Sequence, residues 1–343
     1  MKTNSGRTPD LTYSFIIPVY NRPEEIEELL QSMIQLEFDR PYEIVIVEDG
    51  SLMDSSQVVD AYQGQLNINY VQKKNTGPGD SRNYGMQIAK GNYFLILDSD
   101  VILPPNYLTA IDDFLQEEVF HCIGGPDAAH ASFSDLQKAI SYSMTSFWTT
   151  GGIRGNKTAV GRFQPRSFNM GLSKEAFEVS GGFGDIHPGE DPDLAIRLWK
   201  LGYQTALVPD ALVYHKRRIS FQKFYQQVSK FGTVRPILNQ WHPETAKVTY
   251  WFPTLFIGYT IVSIIFLLSG NPYLISLLFL YLLGLGIDSG IKNRSVTIGV
   301  LSICAVMVQF YGYGVSFLKS YFLIHVLQKN PKRQFEHLFF QNS

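Results

Sequence analysis

Two carboxylates stand at the end of an apolar segment, in Asp98-Ser99-Asp100. The preceding run, Tyr93-Phe94-Leu95-Ile96-Leu97, is short and continuous, which is typical of a buried strand. Hard divalent cations take oxygen ligands, and Mg²⁺ in particular shares carboxylates with substrate phosphates. In open α/β sheets, ligands bind beyond the carboxyl ends of the strands. The spacing predicts a joint site for a divalent cation and a diphosphate, and a solvated turn is the alternative for this motif alone.

Polar residues also follow two earlier apolar segments. The first segment, Thr12 to Val19, is followed by Tyr20-Asn21-Arg22 and by a helix that begins near Pro23, since proline suits the first helical turn. The second segment, Tyr42 to Val47, ends in Glu48-Asp49-Gly50-Ser51. A carboxylate at a strand end can accept a hydrogen bond from a base N–H or a ribose hydroxyl. The alternative for the second motif is a simple β-turn.

The segment Asn75-Thr76-Gly77-Pro78-Gly79-Asp80-Ser81-Arg82-Asn83 combines glycines with the start of a helix. Its two glycines allow close backbone approach to a ligand. A helix N-terminus with a nearby arginine attracts anions, and we expect this helix to run from Arg82 to Ala89. The segment therefore predicts an anion site, with a capped junction between loop and helix as the alternative.

A further helix is predicted after Gly189-Glu190-Asp191-Pro192, because Leu194, Leu198 and Leu201 recur at helical spacing. Pro192 suits the first turn and Asp191 suits the N-cap position. Capping alone would account for an aspartate at this place.

Strands and helices alternate through the first part of the chain, which indicates an α/β fold with a mainly parallel sheet and right-handed crossovers. The length of 343 residues allows two domains. The net charge of −2 provides no basic field, so no nucleic-acid partner is predicted. Cys122 and Cys304 match neither a disulfide framework nor a metal-site spacing, and they fit a reduced cytosolic setting.

Three segments near the C-terminus carry no charged residue: Trp251 to Leu268, Tyr273 to Ile287, and Val296 to Leu318. A bilayer-spanning helix needs about 20 mostly apolar residues, so these segments predict membrane helices. A large buried helical domain is the alternative. Positive residues in the loop 288–295 favour a cytosolic position for it. A re-entrant or interfacial helix at Val315 to Leu327 would reconcile that topology with the basic residues that follow.

The predicted organisation has four parts. An N-terminal tail occupies 1–11 and an α/β domain 12–240. Membrane helices occupy 250–327, and a polar tail 328–343.

Five motifs in this order resemble those of the large inverting glycosyltransferase family 2, whose members have the GT-A fold. They are Pro18-Val19-Tyr20-Asn21-Arg22, Glu48-Asp49-Gly50-Ser51, the segment from Asn75 to Asn83, Asp98-Ser99-Asp100, and Gly189-Glu190-Asp191. The resemblance covers residues 12 to 235. It implies a Rossmann-like sheet, a nucleotide-diphosphate sugar donor, and Mn²⁺ or Mg²⁺ as cofactor. The apolar C-terminal third is similar to the membrane segments of many bacterial members.

The resemblance also assigns roles by position. The implied donor nucleotide contacts are Pro18, Tyr20, Asn21, Arg22, Asp49, Asn75, Gly77, Arg82 and Asp98. The implied metal ligands are Asp100, Asp98 and His215, and the implied catalytic residues are Asp191, as general base, with Glu190 beside it. Acceptor or sugar contacts are expected from Asn169, Arg162 and Arg166.

Some of these roles have structural alternatives. The family usually has aspartate where Glu48 stands, Arg82 can serve internal packing, and His215 can be structural. Arg162 and Arg166 can belong to a solvated face.

Processive synthases of the family carry Gln-x-x-Arg-Trp, whereas this chain has Gln227-Val228-Ser229-Lys230-Phe231. We therefore expect a single transfer to a saccharide or lipid-linked acceptor, at a bacterial inner membrane and facing the cytoplasm. The alternatives are a processive synthase subunit and a catalytically silent membrane scaffold. A nucleotidyltransferase would need a glycine-rich loop with lysine after the first strand, where Tyr20-Asn21-Arg22 stands.

Overall fold

The computed structural model describes residues 10–150, 160–216 and 220–340. Most of the predicted N-terminal tail and the last three residues of the polar tail lie outside the described residues. Contacts divide the described chain into two units. The first contains 10–128, 160–215 and 340, and the second contains 129–150, 216 and 220–339.

The first unit is built on two sheets. The strands are β1 (Tyr13–Val19), β2 (Glu43–Asp49), β3 (Ile68–Lys73), β4 (Tyr93–Leu97), β5 (Val101–Ile102), β6 (Cys122–Gly124), β7 (Asp127–Ala128), β8 (Val160–Gly161), β9 (Asn169–Ser173), β10 (Thr205–Leu207) and β11 (Val213–His215). Among the described residues, the larger sheet has the order β3-β2-β1-β4-β9-β6-β10-β8. Strands β3, β2, β1 and β4 are parallel, whereas β9 is antiparallel to both of its neighbours. This confirms the predicted mixed and mainly parallel sheet.

Helices cover both faces of the larger sheet, as a parallel sheet requires. The helices of this unit are α1 (Pro23–Met33), α2 (Ser56–Tyr62), α3 (Pro78–Ile88), α4 (Tyr107–Glu117), α7 (Lys174–Ser180) and α8 (Glu190–Lys200). Alternate residues of β1 point to opposite faces, so Phe15 packs in the cluster that includes α1, α2 and α4. Ile16 packs instead in the cluster that includes α3, α7 and α8.

Two helices begin earlier than predicted. Helix α3 starts at Pro78, directly after Gly77, whose φ of 94° is a left-handed backbone conformation that favours glycine. Arg82 therefore lies in the second turn and not at the helix N-terminus. Helix α8 starts at Glu190 with Gly189 at the N-cap position, where φ is 122°. Asp191 is thus the second residue of α8 and does not cap it.

The smaller sheet has the order β5-β11-β7. Strands β11 and β5 pair antiparallel, with His215 opposite Val101. Because Val101 directly follows Asp100, this register brings His215 next to the D-x-D motif.

The second unit is helical. Its helices are α5 (Asp135–Thr145), α6 (Phe147–Thr150), α9 (Phe221–Trp241), α10 (Phe252–Leu268), α11 (Tyr273–Asn293), α12 (Val296–Tyr321) and α13 (Pro331–Gln334). Ile140 of α5, Phe224 of α9 and Ala305 of α12 share one buried cluster. The predicted α/β domain boundary at residue 240 therefore differs from the observed division, since the apolar side chains of α5 and α9 pack against α12.

Three helical segments are long and apolar enough to cross a membrane: Val248–Leu268, Tyr273–Asn293 and Val296–Val326. The second is longer than predicted, because helix α11 continues through Asp288. That carboxylate accepts hydrogen bonds from Tyr142 Oη at 2.6 Å and Lys292 Nζ at 2.8 Å. Helix α12 is continuous to Tyr321, so the structure has no break at Val315, where a re-entrant or interfacial helix would have reconciled the topology.

Large apolar side chains on α10 and α11, such as Leu255, Ile265, Leu277 and Phe279, are exposed. We expect the full chain to stay in the membrane pellet after an alkaline carbonate wash and to need detergent for extraction. Membrane fractionation of the expressed protein measures this. Release by the wash would show that another protein covers these faces.

Candidate active site

Asp98, Asp100 and His215 form a group that can hold a metal ion. Each offers a ligand atom, and these atoms all lie within 4.8 Å of one another. Asp100 Oδ1 is 3.2 Å from His215 Nε2, and both side chains are largely buried. The ring of Phe168 packs against the His215 imidazole, with centroids 4.5 Å apart. Carboxylate oxygens and an imidazole nitrogen are both ligands of divalent metal ions in proteins. The donor set therefore fits a divalent cation.

The guanidinium of Arg22 contacts one carboxylate of this group, that of Asp100. Its Nη1 donates to Asp100 Oδ2 at 3.0 Å and to Glu25 Oε2 at 2.8 Å. Ser99 Oγ also donates to Glu25 Oε2, at 3.3 Å. Burial, together with the charge of Asp100, raises the pKa of Glu25 above its ordinary value. The Arg22 guanidinium thus joins the end of β1 to the D-x-D motif.

Arg82 is a second cation in this region, and only 3% of it is exposed. It donates to Asp98 Oδ1 at 2.7 Å and to Glu190 Oε1 at 2.9 Å. Its guanidinium carbon lies 5.3 Å from the centre of the Phe183 ring. Arg82 therefore connects the D-x-D motif to the start of α8, which matches the packing alternative.

The two adjacent acids of α8 have different surroundings. Burial alone would raise the pKa of Glu190, but His187 Nδ1, 2.9 Å from Oε1, and Arg82 lower it to about 2. A carboxylate with such a low pKa is a poor proton acceptor near neutral pH. The neighbouring Asp191 has Oδ2 3.5 Å from Arg166 Nη1. Arg166 thus approaches the carboxylate of Asp191, whereas Arg82 and His187 engage that of Glu190.

Asp49 holds the loop that precedes α3. Its carboxylate accepts the backbone N–H groups of Thr76 and Gly77, at 3.0 and 2.9 Å, and the ammonium of Lys73 at 3.0 Å. Asn75 Nδ2 donates to the Asp49 carbonyl oxygen at 2.9 Å. The hydrogen bonds of Asp49 and Asn75 therefore join the end of β2 to the glycine-containing segment.

Of the predicted donor contacts around the end of β1, Asn21 has a structural role in a neighbouring loop. Asn21, in a left-handed conformation with φ of 54°, accepts the backbone N–H groups of Leu52 and Met53 through its side-chain oxygen. It therefore fixes the loop after β2. Tyr20 is half exposed and Pro18 is partly buried at the end of β1.

The predicted acceptor contacts also differ from one another. Asn169 is buried, and its amide is engaged by Tyr107 Oη at 2.8 Å and by the carbonyl oxygen of Ala211 at 2.8 Å. Arg162 is exposed, and its backbone forms a bridge with Thr205. Arg166 is the member of this set that reaches Asp191.

Sequence reasoning missed three residues of this region. Glu25 stands three residues after Arg22 on α1, a spacing that could have suggested an ion pair. His187 stands three residues before Glu190, which is the same spacing and could have suggested their contact. Phe340 belongs to the first unit, donates its N–H to the Asp185 carbonyl oxygen, and lies against Gly77 where a side chain would clash. No nearby sequence pattern predicts that last contact.

Comparisons with known proteins agree with this arrangement. The sequence model described as Glycosyl transferase family 2 matches residues 14–178. An uncharacterized glycosyltransferase of Rickettsia felis is 35% identical over 111 residues, which are 32% of this chain and 18% of that protein. Chondroitin synthase of Escherichia coli is 26% identical over 235 residues, covering 59% of this chain and 34% of the synthase. The match thus spans between 18% and 34% of the lengths of these two relatives.

A solved structure is also similar over nearly the whole chain. It is the mannosyltransferase PcManGT from Pyrobaculum calidifontis in complex with GDP-Man and Mn²⁺. It has a TM-score of 0.55 and 16% sequence identity, and the likeness covers 94% of this chain and 89% of that chain. At this identity the likeness shows the fold. With the mixed sheet, the strand-end motifs and the family match in agreement, residues 14–178 carry a domain of the glycosyl transferase family 2 type, and the first unit has the GT-A fold.

Proposed function

We propose that this protein is a metal-dependent, inverting glycosyltransferase that moves a sugar from a nucleotide-diphosphate sugar to an acceptor hydroxyl. The observation that carries the proposal is the group of Asp98, Asp100 and His215 at the carboxyl edge of a GT-A sheet. The relatives support the donor class, since one is a chondroitin synthase and a structural neighbour is a mannosyltransferase in complex with GDP-Man and Mn²⁺.

In the proposed reaction, Asp98, Asp100 and His215 would hold a divalent cation, and the imidazole would favour Mn²⁺ over Mg²⁺. When bound, the cation would neutralise the charge that develops on the departing diphosphate. Arg82 is proposed to act through Asp98 and Glu190, whose carboxylates it holds in place. Other residues of the chain would bind the donor, orient the reacting groups and accept the proton of the acceptor hydroxyl.

Asp191 is proposed as the general base. The acceptor hydroxyl oxygen forms a bond to the anomeric carbon as the bond from that carbon to the diphosphate oxygen breaks. The electron pair leaves with the nucleoside diphosphate, and the acceptor proton passes to the Asp191 carboxylate. Attack in line with the departing group inverts the anomeric configuration. Arg166, 3.5 Å from Asp191 Oδ2, would orient that carboxylate.

Donor recognition is proposed to come from the loops after β1 and β2. Tyr20 is exposed, so its side chain is available to a base or ribose. Asn75 is also exposed, although its Nδ2 donates to the Asp49 carbonyl oxygen. Asp49 would contribute indirectly, since it already accepts two backbone N–H groups and Lys73. Asn21 fixes the neighbouring loop in the same way. Pro18 borders this place at the end of β1.

We further propose that the acceptor is a saccharide or a lipid-linked saccharide at a bacterial inner membrane, with the catalytic unit facing the cytoplasm. The three apolar helical segments support membrane attachment. Lys230 and Phe231 replace the Arg and Trp of processive members, which supports a single transfer. A chondroitin synthase among the relatives makes polymerisation the second candidate. Product length by mass spectrometry separates the two, because a single transfer adds one sugar to each acceptor.

The direct test is nucleotide binding by the detergent-purified full chain, measured by calorimetry with UDP and GDP. We expect Mn²⁺ to strengthen binding of one nucleotide, because the diphosphate and the carboxylates share the cation. Asp100→Ala should reduce that affinity to the value measured without metal, and Asp98→Ala should weaken it less. Asp113→Ala removes an exposed carboxylate of α4 and should leave binding unchanged. Equal Mn²⁺ dependence in wild type and Asp100→Ala would contradict the proposal.

A further inference from the structure

We propose that Arg22 is a positioning residue that occupies Asp100 when no donor is bound and transfers to the donor diphosphate when metal and donor bind. The inference rests on the proposed function and adds a regulated order to it. Arg22 would weaken the binding of a cation alone and would allow tight binding of a cation together with a nucleotide diphosphate.

The geometry places Arg22 where a cation would compete with it. Its Nη1 is 3.0 Å from Asp100 Oδ2, and the other oxygen of the same carboxylate is 3.2 Å from His215 Nε2. Asp100 is therefore contacted on one oxygen by the proposed metal ligand His215 and on the other by the guanidinium. An arginine remains protonated at every physiological pH, so this contact is a lasting positive charge at the metal site.

The two arginines of the site differ in their freedom to move. Arg82 is almost completely buried, held between Asp98 and Glu190, and covered by the Phe183 ring. The Arg22 side chain is 35% exposed and lies at the N-terminus of α1. Arg82 is thus a fixed partner of its carboxylates, whereas the partly exposed Arg22 can change partners at a smaller desolvation cost.

Glu25 holds Arg22 near the site through a second ion pair. Its carboxylate accepts from the same Nη1 atom at 2.8 Å and lies one helical turn along α1. If Arg22 leaves Asp100, this contact keeps the guanidinium beside the site. A diphosphate is a strong partner for arginine, because planar guanidinium groups bind phosphate oxygens through paired hydrogen bonds. Hydrogen bonds from Arg22 to the donor diphosphate would therefore replace its lost ion pair with Asp100.

The thermodynamic consequence is coupling between the two ligands. When only a fraction of molecules have Asp100 available, the apparent metal affinity falls by that fraction. A nucleotide that attracts Arg22 restores the fraction, so it tightens metal binding, and the metal tightens nucleotide binding by the same factor. Part of this coupling arises because the diphosphate binds the metal directly. A substitution of Arg22 removes only the part that is due to Arg22.

The test measures Mn²⁺ binding by electron paramagnetic resonance of free Mn²⁺, using the full chain in detergent with and without saturating UDP or GDP. Arg22→Met, which keeps much of the side-chain length without the charge, should tighten Mn²⁺ alone by about tenfold, as expected if about one molecule in ten has Asp100 available. With the nucleotide present, the same variant should not bind Mn²⁺ more tightly than wild type.

A matched control separates this effect from a general loss of positive charge. Arg40 pairs with Asp112 and donates to the Leu11 carbonyl oxygen, at the opposite end of β1 from Arg22. Arg40→Met should leave Mn²⁺ affinity unchanged in both conditions. Thermal melting of both variants verifies that they are folded at the temperature of the measurement.

Three outcomes would overturn the inference. One is an unchanged affinity for Mn²⁺ alone in Arg22→Met. Another is a tightening of equal size with and without nucleotide, which would indicate simple electrostatic repulsion. The third is an equal tightening in Arg40→Met. Failure of the proposed function looks different, because wild type itself would then bind no Mn²⁺ even with nucleotide present.

Discussion

Replacing Asp191 with Asn should lower the turnover number by about 10²-fold or more, because a positioned general base contributes about 10²–10⁴-fold. Asn has the size of Asp but cannot accept the acceptor proton. Asp191 is the second residue of α8, and Gly189 holds the N-cap position, so the substitution removes no helix cap. Folding and nucleotide binding should therefore change little. Steady-state kinetics with the identified donor and acceptor measure the effect.

The matched control for this prediction is Asp193→Asn. Asp193 lies in the same helical turn and pairs with Arg197 at 2.8 Å, so its substitution removes a comparable charge from the start of α8. We expect turnover to stay within about threefold of wild type, since an effect through the helix dipole is worth only about 0.3–1 kcal/mol. If Asp191→Asn had an effect as small as this control, Asp191 would not be the base.

The sequence motifs indicated where the site lies more directly than they indicated what each residue contacts there. Ligands bind beyond the carboxyl ends of strands in an open α/β sheet, so the apolar runs alone pointed to the ends of β2 and β4. The partners of Arg82 were not predictable in the same way, because Glu190 is 108 residues away and the contact depends on how α3 and α8 pack. The low pKa of Glu190 follows from that packing and from His187.

The helical unit shows a similar limit. The absence of charge predicted three apolar segments, but Asp288 suggested a loop where helix α11 continues. Its carboxylate is satisfied by Tyr142, a residue 146 positions earlier, so the local sequence could not reveal that the charge is tolerated. Helix α9 precedes the charge-free segments, so the predicted boundary at residue 240 left it in the α/β domain. In the structure, its apolar side chains pack against α12.

Replacing Arg82 with Met should destabilise the protein by about 3–5 kcal/mol, because removing one partner of a buried ion pair leaves the other charge uncompensated. Here Arg82→Met would leave both Asp98 and Glu190 without the guanidinium they share. Thermal melting in detergent at pH 7 measures the loss. Arg40→Met is the control, since Arg40 is more exposed and surface pairs contribute about 0–1 kcal/mol.

The effect of Arg82→Met should also depend on pH in a defined direction. In the wild-type protein the pKa of Glu190 is lowered to about 2, so its contribution to stability is present above the ordinary value of 4.5 and is lost as pH falls toward 2. Without Arg82, one of the two partners that lower this pKa is lost, so the Glu190 pKa should rise from its wild-type value although His187 remains. Protonation of Glu190 as the pH falls would then relieve the uncompensated charge sooner than in wild type. The difference in melting temperature between wild type and variant should therefore be larger at pH 7 than at pH 4. Adding Glu190→Gln to Arg82→Met should recover part of the loss at pH 7. A variant that melts with wild type at pH 7, or a difference that grows as pH falls, would contradict the role of Arg82 as the buried partner of these carboxylates.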